Sequence, residues 1–444
     1  MNRILRFHCI SAPWALVLLF ACAPGRGQVS FATAVNQAIE NSPKVKSAQQ
    51  DLAKARSGLS VTKDIYVPSV VVGGGLGTAY GITLGVPTIF TVSAQSLIYS
   101  PQQRSYIRSA RLSLESARYA LADAQDEAAA DAANTYLTVD HDQEAVAALA
   151  QQFRYALKMV SIAQDRVNAH LETELDLKKA RRDALQMRLQ WMQMQDDLAA
   201  QRTHLAQITG ISESSLIVDD RSIPDLPPLA ENASTSLPEG PGMLAAEDNE
   251  KAILARAHGD AQYTWMPTIS FGAQYGRVSS IENVSEFYNL HGNYNSASIG
   301  VDIKFPVLDR VRAAAAKQSA ADAAHQELDL EAQKQKQADG DRKLKRGAAE
   351  LNINAQVAEL NYGIAHDELE SVLVAEHGST GATPLTPKDE MGARIQERQK
   401  YLDLLNSRLT ADQAEIEYLR QAGELRKWLQ SLSPAAATPT GISH

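Results

Sequence analysis

Two stretches of the sequence alternate apolar and polar residues with the period of a β-strand. The clearer one follows Trp265, where residues 269–276 and 297–305 place an apolar side chain at every second position. An earlier stretch, residues 65–99, contains a similar run from Phe90 to Ile98 after a shorter valine-rich one. The alternation predicts two strands within about 65–99 and two within about 265–308, each with one apolar and one polar face.

The apolar faces of these four strands need a cover, and the sequence offers no further β-pattern to supply one. Hydrocarbon lipid is the expected cover, because about ten residues suit a tilted transmembrane strand. Four strands cannot close a barrel, and an open sheet edge is not tolerated in hydrocarbon. Three copies would supply twelve strands, an even number in the usual range. The strand count therefore predicts a homotrimer in contact with outer-membrane lipid.

The remainder of the chain has the period of long helices. After Pro101, apolar residues recur at alternating steps of three and four as far as Val167, and a second seam returns from Leu177 to Ile208. Similar seams cover 344–372 and 395–419. Such spacing is that of coiled coils. We therefore expect two helical hairpins, and the first limb would be about 95 Å long.

The order of these patterns divides the chain into two similar halves. A helix, two strands and a long helical hairpin occur in residues 28–210, with strands at about 65–99 and the hairpin at about 102–210. The same order occurs in 243–432, with strands at about 265–308 and the hairpin at about 309–432. A connector rich in proline and serine, residues 211–242, joins the two repeats. The predicted fold class is an α+β membrane protein that is mostly helical.

The two ends of the chain have other compositions. Residues 1–27 combine arginines, a short apolar run and small residues, which is typical of a secretory signal peptide. Cys22 lies in a lipobox-like sequence, and its lipidation stays open beside ordinary cleavage before Gln28. Residues 433–444 are expected to form a disordered tail.

Charge and motifs argue against nucleic-acid binding and catalysis. Removing residues 1–27 removes three arginines and takes the net charge from −9 to −12, which disfavours a nucleic-acid partner. There is no HExxH or GxSxG motif, and the glycine run at 73–77 lacks the lysine of a phosphate loop. Asp140-His141-Asp142 and His366-Asp367-Glu368 are expected on solvated surfaces, because adjacent helical residues do not share a face. We expect neither enzyme activity, nor a cofactor, nor a metal.

Several segments together resemble one known family. They are the predicted mature start VSFATAVNQAIENSPKVKSA, the paired YVPSV and WMPTIS, the turn RVNAHLETELDLKKARRDAL and the junction ITGISESSLIVDDRSIPDLPPL. This ordered set is similar to the TolC-like outer-membrane efflux proteins over essentially the whole mature chain. The resemblance implies a trimer whose twelve-stranded outer-membrane barrel continues into a periplasmic tunnel of twelve helices. It also implies docking to a periplasmic adaptor and an inner-membrane pump or exporter, in a Gram-negative-type cell.

The resemblance also assigns a role to the first hairpin turn, residues 166–176, which matches the adaptor-facing turn of the family. The contact residues that it implies are Asn168, His170, Leu171, Thr173, Leu175 and Asp176. His170 stands where the family usually has glycine, so a different turn geometry is expected. The second turn is longer and richer in proline than in the family.

Further candidate residues follow from their positions. Asp302 and Lys304 lie on the polar face of the fourth strand, where they would either tune permeation or simply line water. Asp389 and Glu390, near the second turn, are candidates for an acidic constriction in the trimer. Aromatic residues flank the strands as interfacial belts do, although each alone could equally belong to an ordinary core: Tyr66, Tyr99, Trp265 and Tyr288.

A second function class also fits the long seams. A secreted or periplasmic coiled-coil protein with a structural or adhesive role would explain the heptads, with the β-segments packed on the protein itself. It would not explain the lipid-like alternation or the duplicated order of elements.

Overall fold

The computed structural model describes residues 28–74, 88–213, 216–226, 239–278, 295–377 and 386–432. Helices dominate these residues, and the two longest have 68 residues each, about 100 Å of helix. The helices are α1 Phe31–Asn41, α2 Pro43–Asp64, α3 Pro101–Asn168, α4 Glu174–Thr209, α5 Pro241–Tyr263, α6 Arg310–His377, α7 Pro387–Gln421 and α8 Leu425–Leu432. The strands are β1 Gln28–Val29, β2 Ser69–Gly74, β3 Thr88–Tyr99, β4 Ile217–Val218, β5 Thr268–Val278 and β6 Asn295–Lys304.

The four longer strands form one antiparallel sheet in the order β2-β3-β5-β6. Apolar residues pair across the strands, with Ile269 opposite Ile303 and Phe271 opposite Val301, while Ser270 pairs with Asp302 on the other face. This register confirms the predicted alternation. The apolar face is open in the single chain, where Ile299 is 78% exposed. Among the described residues, β2 and β6 each leave one edge unpaired.

The helices pack side by side in two levels, one next to the sheet and one farther from it. Next to the sheet, packing joins α2 to α3, α3 to α5, and α5 to α6. Farther from the sheet it joins α4 to α3, α3 to α7, and α7 to α6. The long helices α3 and α6 run through both levels, so the chain is a wall of four strands followed by two levels of four helices. Within the described ranges, none of the helices combines the length and the apolarity that crossing a bilayer requires.

Local capping explains where several helices begin. The Ser30 hydroxyl accepts a hydrogen bond from the Thr33 N–H and so caps the start of α1. Pro43 stands at the first position of α2, where proline is favoured because the N–H that it lacks would have no partner within the helix. The Ser100 hydroxyl caps α3 by accepting from the Gln103 N–H at 3.3 Å.

A core at mid-height of α3 joins both ends of the described chain. The ring of Phe31 packs edge-on against Tyr136 at 5.4 Å and lies 6.1 Å from the ring of Trp428 in α8. In the same region β1 pairs in parallel with β4. Part of the connector predicted at 211–242 therefore has ordered structure, including a short 3-10 helix at Asp220–Ser222, which the sequence reasoning missed.

The predicted helical seams face the interior at most positions, whereas Leu157 on the α3 seam is 49% exposed. The α4 seam buries Leu177, Ala184, Leu198, Leu205 and Ile208. The α7 seam buries Leu402, Ile416 and Leu419. Leu404 is also buried and was not predicted. The predicted signal peptide, the predicted tail and Tyr288 lie outside the described residues.

Candidate functional site

The first hairpin turn, which we call the first tip (residues 166–176), closes α3 with a Schellman motif. The Leu171 N–H donates to the Arg166 carbonyl at 2.8 Å, and the His170 N–H donates to the Val167 carbonyl at 2.9 Å. His170 has a φ of 60°, the left-handed region that glycine favours. The backbone of His170 therefore has the conformation that glycine would have at this position. The φ angle thus does not show the change of turn geometry that was expected from replacing glycine by histidine.

The start of α4 is fixed by a capping box at the first tip. The Asp176 N–H donates to the Thr173 hydroxyl, and the Asp176 carboxylate accepts from both the N–H and the hydroxyl of Thr173. The hydrogen bond from the Thr173 hydroxyl, followed by that from its N–H, lowers the pKa of Asp176. Two residues predicted to contact an adaptor thus also hold the helix start.

Glu172 links the first tip to the second hairpin. Its carboxylate accepts hydrogen bonds from Lys388 Nζ at 2.8 Å and from Arg166 Nε at 3.0 Å. These bonds, with that from Lys388 foremost, lower the pKa of Glu172. The sequence reasoning missed Glu172, since only the fold brings Lys388 to the first tip.

The other predicted residues of the first tip point outward. Leu171 is 67% exposed and Leu175 is 60% exposed, which is unusual for leucine beside a buried seam. The Asn168 side-chain oxygen accepts from Gln164 at 3.1 Å. The tip therefore combines a rigid turn with an exposed apolar surface.

The second hairpin turn repeats the capping box of the first. The Asp389 carboxylate accepts from the N–H of Thr386 at 2.9 Å and from its hydroxyl at 2.7 Å. Glu390 accepts from Arg394 at 2.7 Å, four residues along α7. The structure thus gives both candidate constriction residues a local partner. Residues 378–385 of this turn lie outside the described part of the chain.

Asp302 and Lys304 share one face of β6, as predicted. The Lys304 ammonium lies 3.0 Å from the Asp302 carboxylate, and both side chains are exposed. Their cross-strand neighbours are Ser270 and Thr268. From Thr268 to Gly276 on β5 and from Ser296 to Lys304 on β6, this face carries only polar residues and glycine.

One expectation for the charged clusters was wrong. The side chains of His141 and Asp142 are both less than a tenth exposed, because α3 is covered by other helices at this height. The imidazole Nδ1 lies 2.9 Å from Asp142, and Nε2 lies 2.9 Å from the Asn406 side-chain oxygen of α7. His366-Asp367-Glu368 is exposed, as predicted. Among the described residues, no three His, Cys, Asp or Glu side chains are grouped as a metal site requires. Cys22 lies outside these residues.

Comparison with known proteins tests the resemblance. Residues 34–211 match the profile of the family described as outer membrane efflux protein. The resemblance to this family is confirmed. No curated protein sequence gives a significant match to the chain.

Solved structures share the fold over most of the chain. The Campylobacter jejuni CmeC outer membrane channel has a TM-score of 0.71 at 12% identity, covering 91% of this chain and 89% of that one. The outer-membrane channel OprN has a TM-score of 0.68 at 16% identity, with coverages of 89% and 90%. The open state of the Neisseria gonorrhoeae MtrE outer membrane channel has a TM-score of 0.63 at 14% identity, also covering 89% and 90%. The chain therefore has the fold of these channels.

Proposed function

We propose that the protein is a passive outer-membrane channel for efflux or secretion. Three copies would form a twelve-stranded barrel in the outer membrane, continued by a periplasmic tunnel of twelve helices. A periplasmic adaptor and an inner-membrane pump or exporter would supply the cargo and the energy. The family match and the shared fold support this function class.

The single observation that carries the proposal is the sheet. Its apolar face is uncovered, and its two outer strands leave an edge unpaired among the described residues. In water, an uncovered apolar face and long unpaired edges both favour association with other molecules. Lipid would cover the face, and neighbouring copies would pair the edges.

The order of the elements supports closure into a ring. The elements β2, α2 and α4 lie on one side of the wall, and β6 and α6 lie on the other. When one side of a copy contacts the other side of the next copy, the contact is heterologous. Repeating this contact by the same rotation gives a closed ring if the rotations add up to a full turn. One rotation would therefore close the barrel and both helical levels together.

The first tip is the proposed docking surface for the adaptor. Leu171 is the apolar centre of this surface, and Asn168 and His170 lie on the same turn. The capping box of Thr173 and Asp176 would keep the turn rigid, so docking would order few new residues. Leu175 borders the surface on the first turn of α4.

The polar face of the sheet would line the lumen. Asp302 and Lys304 already form an ion pair there, so their charges largely compensate each other. We propose that this pair lines the water-filled path.

Paired arginine substitutions on β6 test the proposed function. Ile299→Arg would place a charge on the lipid face, whereas Ser298→Arg would place it on the polar face. An arginine near the bilayer midplane costs about 2–4 kcal/mol in a barrel of this kind. We expect Ile299→Arg to lower the amount of folded protein in the outer-membrane fraction, and Ser298→Arg to leave it unchanged.

Equal amounts of the two variants in the membrane would contradict a lipid-facing sheet. If the wild-type protein were also absent from outer membranes, the secreted or periplasmic coiled-coil function would replace the channel. Export of a cargo by cells that carry each folded variant provides the second measurement.

A further inference from the structure

In the level of helices farther from the sheet, the two outer helices are α4 and α6, and each carries an exposed apolar stripe that packs against no other helix of the single chain among the described residues. On α4 the stripe contains Leu175, Leu185, Leu189 and Met192. On α6 it contains Val374, Ile364, Leu360 and Val357. Both helices contribute buried residues to their own hairpins through other faces, such as Ala184 on α4 and Ala365 on α6. The stripes are therefore additional to the hairpin seams.

The two stripes have the same spacing. Starting from the tips, the α4 stripe advances by steps of ten, four and three residues, and the α6 stripe runs back along the chain by the same steps. Such steps keep the residues on one face of a helix. Because α4 and α6 run in opposite directions from the tips, their stripes match layer by layer in an antiparallel pair.

The two stripes also start at the same height. Lys388 in the first turn of α7 binds Glu172, so the start of α7 lies level with the start of α4. The rings of Tyr362 and Tyr401 are 5.5 Å apart and fix the register of α6 against α7. Val374 lies twelve residues after Tyr362 in α6, and Asp389 lies twelve residues before Tyr401 in α7. Val374 is therefore level with Asp389 in the first turn of α7, and so with the first turn of α4.

In this register three basic residues of α4 fall opposite acidic residues of α6. In the same register Arg182 falls opposite Asp367, and Lys178 falls opposite Ser371. Beside the stripe, Lys179 falls opposite Glu370, and Arg181 falls opposite Glu368. All of these charged side chains are exposed in the single chain. The apolar match ends beyond Met192, where Asp196 would face Ile353.

From this match we infer that α4 of one copy packs against α6 of the next copy, with Leu185, Leu189 and Met192 opposite Ile364, Leu360 and Val357. The inference rests on the proposed trimer and names the seam that joins its subunits. Rotation about a common axis preserves height, so the register of the two stripes carries over to neighbouring copies. The same register sets Leu175 against Val374 at the lower end, where the seam meets the first tip.

Cysteine cross-linking in the full-length protein in its membrane tests this seam. The only native cysteines are Cys9 and Cys22, so residues 28–444 provide a thiol-free background. The pair Leu189→Cys with Leu360→Cys is expected to give disulfide-linked dimers and trimers under oxidising conditions, which disappear on reduction. A bond within one chain is excluded, since three helix-to-helix steps of about 9 Å separate the two positions.

Three control variants define the register. Leu189→Cys alone and Leu360→Cys alone report any background linkage. Leu189→Cys with Val374→Cys displaces the second thiol by 14 residues, about 21 Å along α6, and is expected to give no linked species. Exchange of charges provides a second measurement: Arg182→Glu is expected to weaken the trimer in detergent, and Arg182→Glu with Asp367→Arg is expected to restore it.

The outcomes separate the seam from the proposed function. A native trimer in which the displaced pair links as well as the matched pair, or in which neither links, would overturn the seam and leave the channel standing. A native mass other than a trimer would overturn both.

Discussion

Tyr136 is the residue at which the separate parts of the chain meet. It is fully buried, and its hydroxyl donates to the Val29 carbonyl at 2.7 Å and accepts from the Asp219 N–H at 3.0 Å. One side chain of α3 thus fixes both the start of the described chain and the connector. A buried hydrogen bond that loses its partner costs the desolvation of that partner.

Removal of this hydroxyl should therefore destabilise the protein. Tyr136→Phe would leave the Val29 carbonyl and the Asp219 N–H without it, at a cost of about 1–3 kcal/mol. We expect a lower thermal unfolding midpoint in detergent and faster proteolysis near residue 219. The exposed Tyr119 of α3 provides the control, and an equal effect of Tyr119→Phe would contradict the role of Tyr136.

Glu415 in α7 gives a pH dependence with a defined sign. Burial, and next the charge of Asp412, raise the pKa of Glu415 to about 7. A carboxyl whose pKa is raised on folding binds more protons in the folded state, so its contribution lowers stability as the pH rises from about 4.5 to about 7. We expect Glu415→Gln to stabilise the protein at pH 8, by on the order of 1–3 kcal/mol, and to change little at pH 4.

The neighbouring Glu417 provides the control with the opposite sign. Burial raises its pKa, but hydrogen bonds from Arg420 and Gln421 outweigh burial and lower it. Glu417→Gln should therefore destabilise the protein at pH 8. Thermal unfolding at pH 4 and pH 8 measures both variants, and a Glu415→Gln protein that is less stable at pH 8 would contradict this assignment.

At the scale of elements, the two tips are built alike. Thr173 and Asp176 cap α4, and Thr386 and Asp389 cap α7. At each turn the aspartate carboxylate accepts hydrogen bonds from the N–H and the hydroxyl of the threonine. The hydrogen bonds from the backbone and side chain of Thr386 lower the pKa of Asp389. Helix capping is therefore a sufficient reason for an aspartate at each position.

Matched substitutions at the two tips separate capping from a constriction. Because both carboxylates have the same capping bonds, Asp389→Asn and Asp176→Asn should lower the thermal unfolding midpoint by similar, small amounts. They should also have similar effects on the conductance of the channel in planar bilayers. A much larger conductance change for Asp389→Asn would instead support an acidic constriction at the second tip.

The long elements could be predicted from the sequence because their patterns repeat many times. The alternation in β5 and β6 and the seam of α4 both persist over many residues, so single exceptions do not hide them. Short elements such as β1 and β4 have no period, and their pairing depends on Tyr136 and the core around it. The strands β1 and β4 could therefore be identified only from the three-dimensional structure.

Contacts between residues far apart in the sequence were harder to predict, for a physical reason. The chain places Glu172 and Lys388 more than two hundred residues apart, and only the packing of two hairpins unites them. His141 and Asp142 were expected in solvent because adjacent helical residues point in different directions, yet α3 is covered on several sides. Burial by several neighbours cannot be inferred from the period of one helix.

At the scale of the whole molecule, every level of the wall has two unlike sides. The sheet, the helices next to it and the helices near the tips are all open at the same two sides of the chain. A single copy leaves apolar residues exposed at each of these levels, including Ile299 on the sheet and Leu189 on α4. Closure with further copies would bury these surfaces or place them against lipid.

The most direct test of the trimeric channel is the native mass of protein extracted by detergent from alkali-washed outer membranes. Because the strands would close a barrel only between copies, we expect the protein to resist the alkaline wash and to have the mass of three chains plus bound detergent. A monomer or dimer that the wash releases would contradict the trimeric channel, since the strands would then never have closed around a lumen in lipid.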